Sequence, residues 1–185
     1  MAGRFRVVDT GVLEGRFNIA IDQAMIEEHQ AGRIPDTFRF MRFPPTALIG
    51  RHQALRQEVD VDHCRAHGIG IVRRITGGGA IYLDEGQLGW GLVFHRKALS
   101  ATCLAGLASD ICEAVAAGLR RLGVDARYRP RNDIEVDGRK ISGTGGFFDG
   151  DTLIYQGTVL VDMNPAAMVA ALRVPRAKLE KRQLD

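Results

Sequence analysis

Paired cysteines are missing from this 185-residue chain: Cys64, Cys103 and Cys112 are its three cysteines, and no two form a CxxC pair. An odd, unpaired set argues against a disulfide framework and agrees with a reducing compartment. Long apolar runs are missing too. Val159-Leu160-Val161 is typical, far below the roughly 20 apolar residues of a membrane-spanning helix. The opening residues Met1-Ala2-Gly3-Arg4-Phe5-Arg6 lead into no apolar h-region, so no secretory signal is expected and the expected location is the cytoplasm. There is no Walker A sequence, so any nucleotide must be held by other means. The glycines at 143, 145 and 146 follow a hairpin strand and open no helix, which disfavours a dinucleotide fold. Basic residues do not interleave with aromatics, so nucleic acid is not the expected partner. The net charge of +3 is a mild bias that fits an acidic partner or a phosphate-bearing ligand.

With 45% hydrophobic and 25% charged residues, the composition is that of an ordinary globular protein, and the length suits one domain over residues 1–185. Phe17, Ala20, Ile21, Ala24 and Met25 recur at helical spacing among Asn18, Asp22, Glu27 and Glu28, which predicts an amphipathic helix. Strands are expected over 36–43, from Ala47 to Gly50, and over 69–74, 80–83 and 88–95. A second helix is expected from a cap at Ser100, with the stripe Leu104, Leu107, Ile111, Val115, Leu119 and Leu122 and a stop at Gly123; it contains Cys103 and Cys112 as small core residues. Asp137-Gly138 and Asp149-Gly150 predict two hairpins, and Asn164-Pro165 opens a short helix as N-cap and first residue. Helices and strands cluster rather than alternate. The fold class is therefore α+β, with a mixed, mostly antiparallel sheet flanked by helices. His63 and His67 stand one helical turn apart, a spacing metals use, yet no further ligand supports them and a solvated helix face is the plainer reading.

The densest chemistry lies in Arg73-Arg74-Ile75-Thr76-Gly77-Gly78-Gly79-Ala80-Ile81-Tyr82. Consecutive glycines expose backbone N–H groups and admit a ligand closely, and arginine beside them supplies a planar cation for phosphate or carboxylate. A glycine turn with arginines in solvent is the bland alternative. Further along come Arg131-Asn132-Asp133, then Lys140-Ile141-Ser142-Gly143-Thr144-Gly145-Gly146, then Tyr155-Gln156-Gly157-Thr158. Lys140 follows a tight turn and reads either as a point charge aimed into a concavity or as an edge-strand lysine that discourages aggregation.

In this order and spacing, Phe17-Asn18-Ile19-Ala20, Arg73-Arg74 with the glycine loop, Asn132-Asp133, Lys140-Ile141-Ser142-Gly143 and Gly157-Thr158 resemble the biotin/lipoate protein ligase catalytic-domain family, and within it the lipoate–protein ligases. The resemblance implies a class II synthetase-like catalytic fold. It also implies ATP-dependent attachment of lipoate, through lipoyl-AMP, to a lysine of a lipoyl-domain acceptor such as a 2-oxoacid dehydrogenase E2 or glycine cleavage H protein. On that resemblance Lys140 is the catalytic residue, contacting the acyl carbonyl and α-phosphate. Arg74, Thr76, Gly77, Gly78, Gly79, Ala80, Ile81, Tyr82, Asn132, Asp133, Ser142 and Gly157 line the nucleotide and acyl site, and Asp133 stands on the Mg²⁺ side. The charged stretch Lys181-Arg182-Gln183-Leu184-Asp185 is expected to be followed by a further C-terminal part or completed by a separate accessory chain.

The chain departs from the family pattern around the acyl pocket. Leu83 stands where a histidine is common, Tyr155-Gln156-Gly157 replaces a frequent His-His-Gly, and Ser142-Gly143-Thr144-Gly145 replaces the usual Ser-Gly-Ser-Ala. Two other readings therefore stay open. One is an octanoyltransferase of the same fold, which needs a nucleophilic thiol that Tyr128-Arg129-Pro130-Arg131 does not supply. The other is a non-catalytic module that holds a lipoyl domain or an adenylate. Biotin ligase ranks lower, because the Arg-Arg-x-Thr-Gly-Gly-Gly loop is more similar to the lipoate branch.

Overall fold

The computed structural model describes residues 5–98 and 104–173, so Ser100, Cys103 and the charged C-terminal stretch lie outside the described residues. In chain order the elements are β1 (Arg6–Val12), α1 (Gly15–Gln30), β2 (Thr37–Arg42), β3 (Thr46–Ile49), α2 (Leu55–Glu58), α3 (Val61–Ala66), β4 (Gly70–Arg73) and β5 (Ile81–Leu83). There follow β6 (Gln87–His95), α4 (Leu104–Arg121), β7 (Arg127–Arg129), β8 (Asp133–Val136), β9 (Arg139–Asp149), β10 (Thr152–Leu160) and α5 (Pro165–Ala171). Seven strands form one sheet in the order β1-β2-β6-β10-β9-β8-β7, and β4-β3-β5 form a second. Pairing is antiparallel except for β1 with β2, joined through α1, and β3 with β4, joined through α2 and α3. The sheet is thus mixed and mostly antiparallel, as expected, and the two parallel pairs are an addition to that expectation.

Strand β6 is buried along nearly its whole length because both its faces are covered. On one face α4 lays Leu107, Ala108, Ile111, Cys112 and Ala116 against Trp90, Phe94, Leu153 and Tyr155. Each large side chain buried there contributes about 1.5–3 kcal/mol. Its stripe matches the sequence expectation except at the ends, since Leu104 is part-exposed and Leu122 projects into solvent. The helix stops at Arg121: Gly123 takes φ +86°, and the Val124 and Gly123 amides return to Leu119 and Arg120 carbonyls, which swings Leu122 outward.

On the other face α1 packs Met25 and Ile26 on Val93 and Ile154. Its buried side differs from the expected stripe. Asn18 and Asp22 face inward with Met25 and Ile26, whereas Phe17, Ala20 and Ala24 are exposed. The reason is a buried cation, Arg39, that binds both polar residues. The small sheet sends Ala47, Ile49 and Tyr82 to one side, onto Val59, Val61, Cys64 and Ala171, and Leu48, Val72 and Leu83 to the other, onto Met41 and Phe43.

Both hairpins form. Asp137 and Gly138, each with positive φ, join β8 to β9, and the β9–β10 turn falls on Gly150-Asp151, one residue later than expected, because Asp149 pairs with Thr152. Asn164 caps α5 by accepting from the Ala167 amide, with Pro165 in the first turn. No helix among the described residues is long and apolar enough to cross a membrane.

Candidate active site

Between the two sheets and α1 lies a cavity of about 580 Å³. Of the residues singled out from the sequence, Arg74, Thr76, Gly77, Gly78, Gly79, Ala80, Ile81, Tyr82, Asn132, Lys140, Ser142 and Gly157 all line it. Asp133 stands directly behind the wall.

The glycine loop curls around its own arginine. Arg74 Nη2 donates to the carbonyls of Gly77 and Gly79, both at 2.8 Å, and Nη1 donates to Leu48 O at 3.3 Å. Gly78 has φ +98°, and a Cβ on Gly50 would sit 2.1 Å from the Gly78 carbonyl oxygen, so the fold of this loop demands glycine at both positions. Arg73 binds the carbonyls of Gly50, Arg51 and Gln53. Neither arginine simply trails into solvent. Arg74 has no carboxylate partner among the described residues. Burial lowers its pKa, as it does for any cation short of counter-charge.

Across the cavity, Lys140 stretches over Gly143, whose missing Cβ would have stood 3.0 Å from Nζ. The ammonium is 2.6 Å from Asp133 Oδ1, so the sequence picture of an isolated point charge gives way to an ion pair. The other carboxylate oxygen takes Arg129 Nη2 at 2.6 Å. Burial raises the Asp133 pKa, but the close polar contacts and charges of Lys140 and Arg129 outweigh it and hold the carboxyl below its ordinary value. Asp133 Oδ2 is hydrogen-bonded to Arg129, whereas Oδ1 is ion-paired with Lys140 without a hydrogen bond, and no group of three His, Cys, Asp or Glu among the described residues is arranged to hold a metal ion. The rings of His63 and His67 stack at 4.0 Å on α3.

The remaining expected residues divide by role. The Asn132 carboxamide donates to the Thr144 carbonyl, pinning the β7–β8 turn to β9. Ser142 is buried, with an Oγ that has no partner among the described residues. Tyr82 turns its ring into the core below the small sheet, so its contribution to the wall comes with the backbone of 79–82. Gly157 leaves room for Trp90, whose ring would lie 2.3 Å from a Cβ there.

Sequence reasoning missed the far end of the cavity. Asp22 and Gln156 both line it, and Gln156 Nε2 donates to Asp22 Oδ2. Asp22 Oδ1 accepts from Arg39 at 2.8 Å, and Arg39 also binds Asn18 and Thr10. Burial pushes the Asp22 pKa up to about 6 against the opposing pull of Arg39 and Gln156. The i, i+4 spacing of Asn18 and Asp22 was a signal, but only a buried partner contributed by another element explains it.

Neither described cysteine lines the cavity. Cys64 sits beneath the small sheet, where burial raises its pKa, and Cys112 is fully buried on α4, 3.3 Å from Thr144 Oγ1.

Known proteins share this architecture. An octanoyltransferase LipM of Moorella thermoacetica is 29% identical over 99% of this chain and 74% of its own length. The lipoate-protein ligase A subunit 1 of Thermoplasma acidophilum is 31% identical over 96% of this chain and 70% of its own. Among solved structures, the bipartite lipoate protein ligase of the T. acidophilum lipoylation system, studied with its E2 lipoyl domain, superposes with a TM-score of 0.83 at 28% identity, covering 98% of this chain and 71% of that one. A lipoate-protein ligase A bound with ATP gives 0.82 at 29% identity over 100% of this chain and 76% of that one. The model of the lipoyl protein ligase A/B catalytic domain matches residues 14–185, and the chain belongs to that family.

Proposed function

We propose that this chain is an ATP-dependent lipoate–protein ligase, joining lipoate to a lysine of a lipoyl-domain acceptor through an acyl-adenylate. The observation that carries this reading is the make-up of the cavity wall: two cations, Arg74 without a carboxylate partner and Lys140 held by one, and no cysteine among the described lining residues. Cations on opposite walls suit a step that brings a carboxylate against a polyphosphate, where like charges must be neutralised. A transfer through a thioester would instead need an accessible, activated thiol. The ATP-bound relative and the bipartite relative with its E2 lipoyl domain support the same reading.

In the first step a lipoate carboxylate oxygen bonds to the α-phosphorus of MgATP and pyrophosphate leaves. Lys140, positioned by Asp133, hydrogen-bonds the oxygens on which charge grows. Arg74 and the amides of the glycine loop receive the phosphates. In the second step the acceptor's lysine amine attacks the acyl carbon, forming the amide and releasing AMP. Here Lys140 stabilises the acyl oxygen.

The second reading, an octanoyltransferase, is favoured by the LipM relative. One pair of assays separates the two. An apo-lipoyl domain given ATP, Mg²⁺ and lipoate should gain the lipoyl mass, and pyrophosphate exchange should depend on lipoate. Acylation of that domain from octanoyl-carrier protein without ATP, with no lipoate-dependent exchange, would overturn the ligase reading.

A further inference from the structure

The floor of the cavity changes character along the seven-stranded sheet, one cross-strand row at a time. In the innermost row Val93 pairs with Ile154 and Ile154 with Phe147; Met25 and Ile26 of α1 seal it as core. In the next row Arg39 pairs with Gly91, Gly91 with Gln156 and Gln156 with Gly145, and of these four Gln156 is the one that lines the cavity with a side chain. One row further out Gly89 pairs with Thr158. The roof follows the same steps, since Asp22 stands about one helical turn before Met25 and Ile26, and Ile19 about one turn earlier still. Ile19, Asp22 and Gln156 line the cavity, whereas Met25, Ile26, Val93 and Ile154 do not. The cavity therefore ends blindly at Gln156 and Asp22.

That end wall is rigid. An ionised Asp22 only accepts, so Gln156 must turn its NH₂ toward it, and Asp22 is anchored in turn by the fully buried Arg39. Met41 Cε and the Gln156 stem meet above Gly91, at 3.5 and 3.8 Å from the position a Cβ would take. A chain pushing past this point would have to strip Gln156 from a buried carboxylate, leaving it without its amide partner. The walls leading up to it are apolar, with Ile19, Met41, Phe43, Leu48 and Leu83.

We propose that Gln156, clamped by Asp22, is a specificity-determining residue: it is the end stop that sets the length of the acyl chain the cavity takes. The proposal rests on the reading of this cavity as an acyl site and adds to it the residue that measures the chain. Asp22 is a positioning residue that acts through Gln156.

The test is direct binding by calorimetry of straight-chain carboxylic acids of six to twelve carbons, and of lipoate, to the full chain and to Gln156→Ala and Gln156→Met. Measurements run at about pH 7.5, above the value of about 6 for Asp22, so that the carboxylate and its hold on Gln156 are in place in the parent chain. Removing the stop in Gln156→Ala should move the preferred acid about two carbons longer and raise its affinity roughly tenfold over that in the parent chain. Gln156→Met fills similar space and should keep the parent optimum. An unchanged optimum in Gln156→Ala, or the same shift in both variants, overturns the proposal. If the folded parent chain binds none of these acids, the acyl reading itself falls and takes the stop with it. A melting curve for each variant shows that the chain is folded when measured.

Discussion

Two arginines, one fully buried and one half-buried, mark two kinds of surroundings in this molecule. Arg39 has no exposed surface and spends its guanidinium on Asp22, Asn18 and Thr10, an ion pair with every neighbour in place. Among the described residues Arg74 is held by the carbonyls of Leu48, Gly77 and Gly79, with no carboxylate opposite and a cavity in front. A desolvated cation is tolerable when it is paired and costly when it is not. The first arrangement is therefore architecture, and the second, on the function proposed above, is a site whose missing charge an anionic substrate would supply. Lys140 falls between them: Asp133 holds it in place, and it still reaches the cavity.

The comparison breaks if removing Arg39 affects turnover more than folding. Arg39→Ala strands Asp22 in the interior, and its unfolding free energy in urea should fall by about 3–5 kcal/mol. Lys140→Ala should do the opposite. Asp133 keeps Arg129, so stability should change little, while lipoate-dependent pyrophosphate exchange drops by about 10²–10³-fold. Exchange near the parent rate in Lys140→Ala would remove that residue from the chemistry.

Much of this was legible from local rules. The Asp137-Gly138 turn, the Gly123 stop and the Asn164 cap all depend on a few adjacent residues, and the structure places them where those residues predict. Arg74, Lys140 and the glycine loop were legible because glycine and fixed charge have few other uses in that order. What stayed hidden depends on partners far apart in the chain. Phe17 looks like core and is exposed, whereas Asn18 and Asp22 look like surface and are buried, because the deciding cation sits on β2. The ion pair of Asp133 with Lys140 likewise appears only once β8 is set against β9. The end wall at Gln156 exists only once three strands are in register beneath α1.

A finer comparison asks whether Arg74 serves by charge or by shape. Arg74→Lys keeps the cation but loses the fork that spans two loop carbonyls. The KM for ATP should rise about 10-fold to 100-fold, a smaller effect than the loss of Lys140, with a modest fall in melting temperature as the loop loses its staple. An unchanged KM would mean that the loop amides alone receive the phosphates.

The smallest effect belongs to Asp22, and its sign is informative. Its pKa is about 6 in the folded chain against 3.8 for the free side chain, so the folded state holds this proton more tightly than the unfolded state. The group's contribution to stability is then fully present below about pH 3.8 and is lost as pH rises through about 6. Other carboxylates titrate in the same range, so the measurable quantity is the difference between the parent and Asp22→Asn. The parent's stability relative to that variant should decline by roughly 1–3 kcal/mol between pH 4 and pH 7, read from urea unfolding at each pH. A difference that stays flat would mean that Arg39 and Gln156 compensate the buried charge in full, and the two arginines would then differ less than their surroundings suggest.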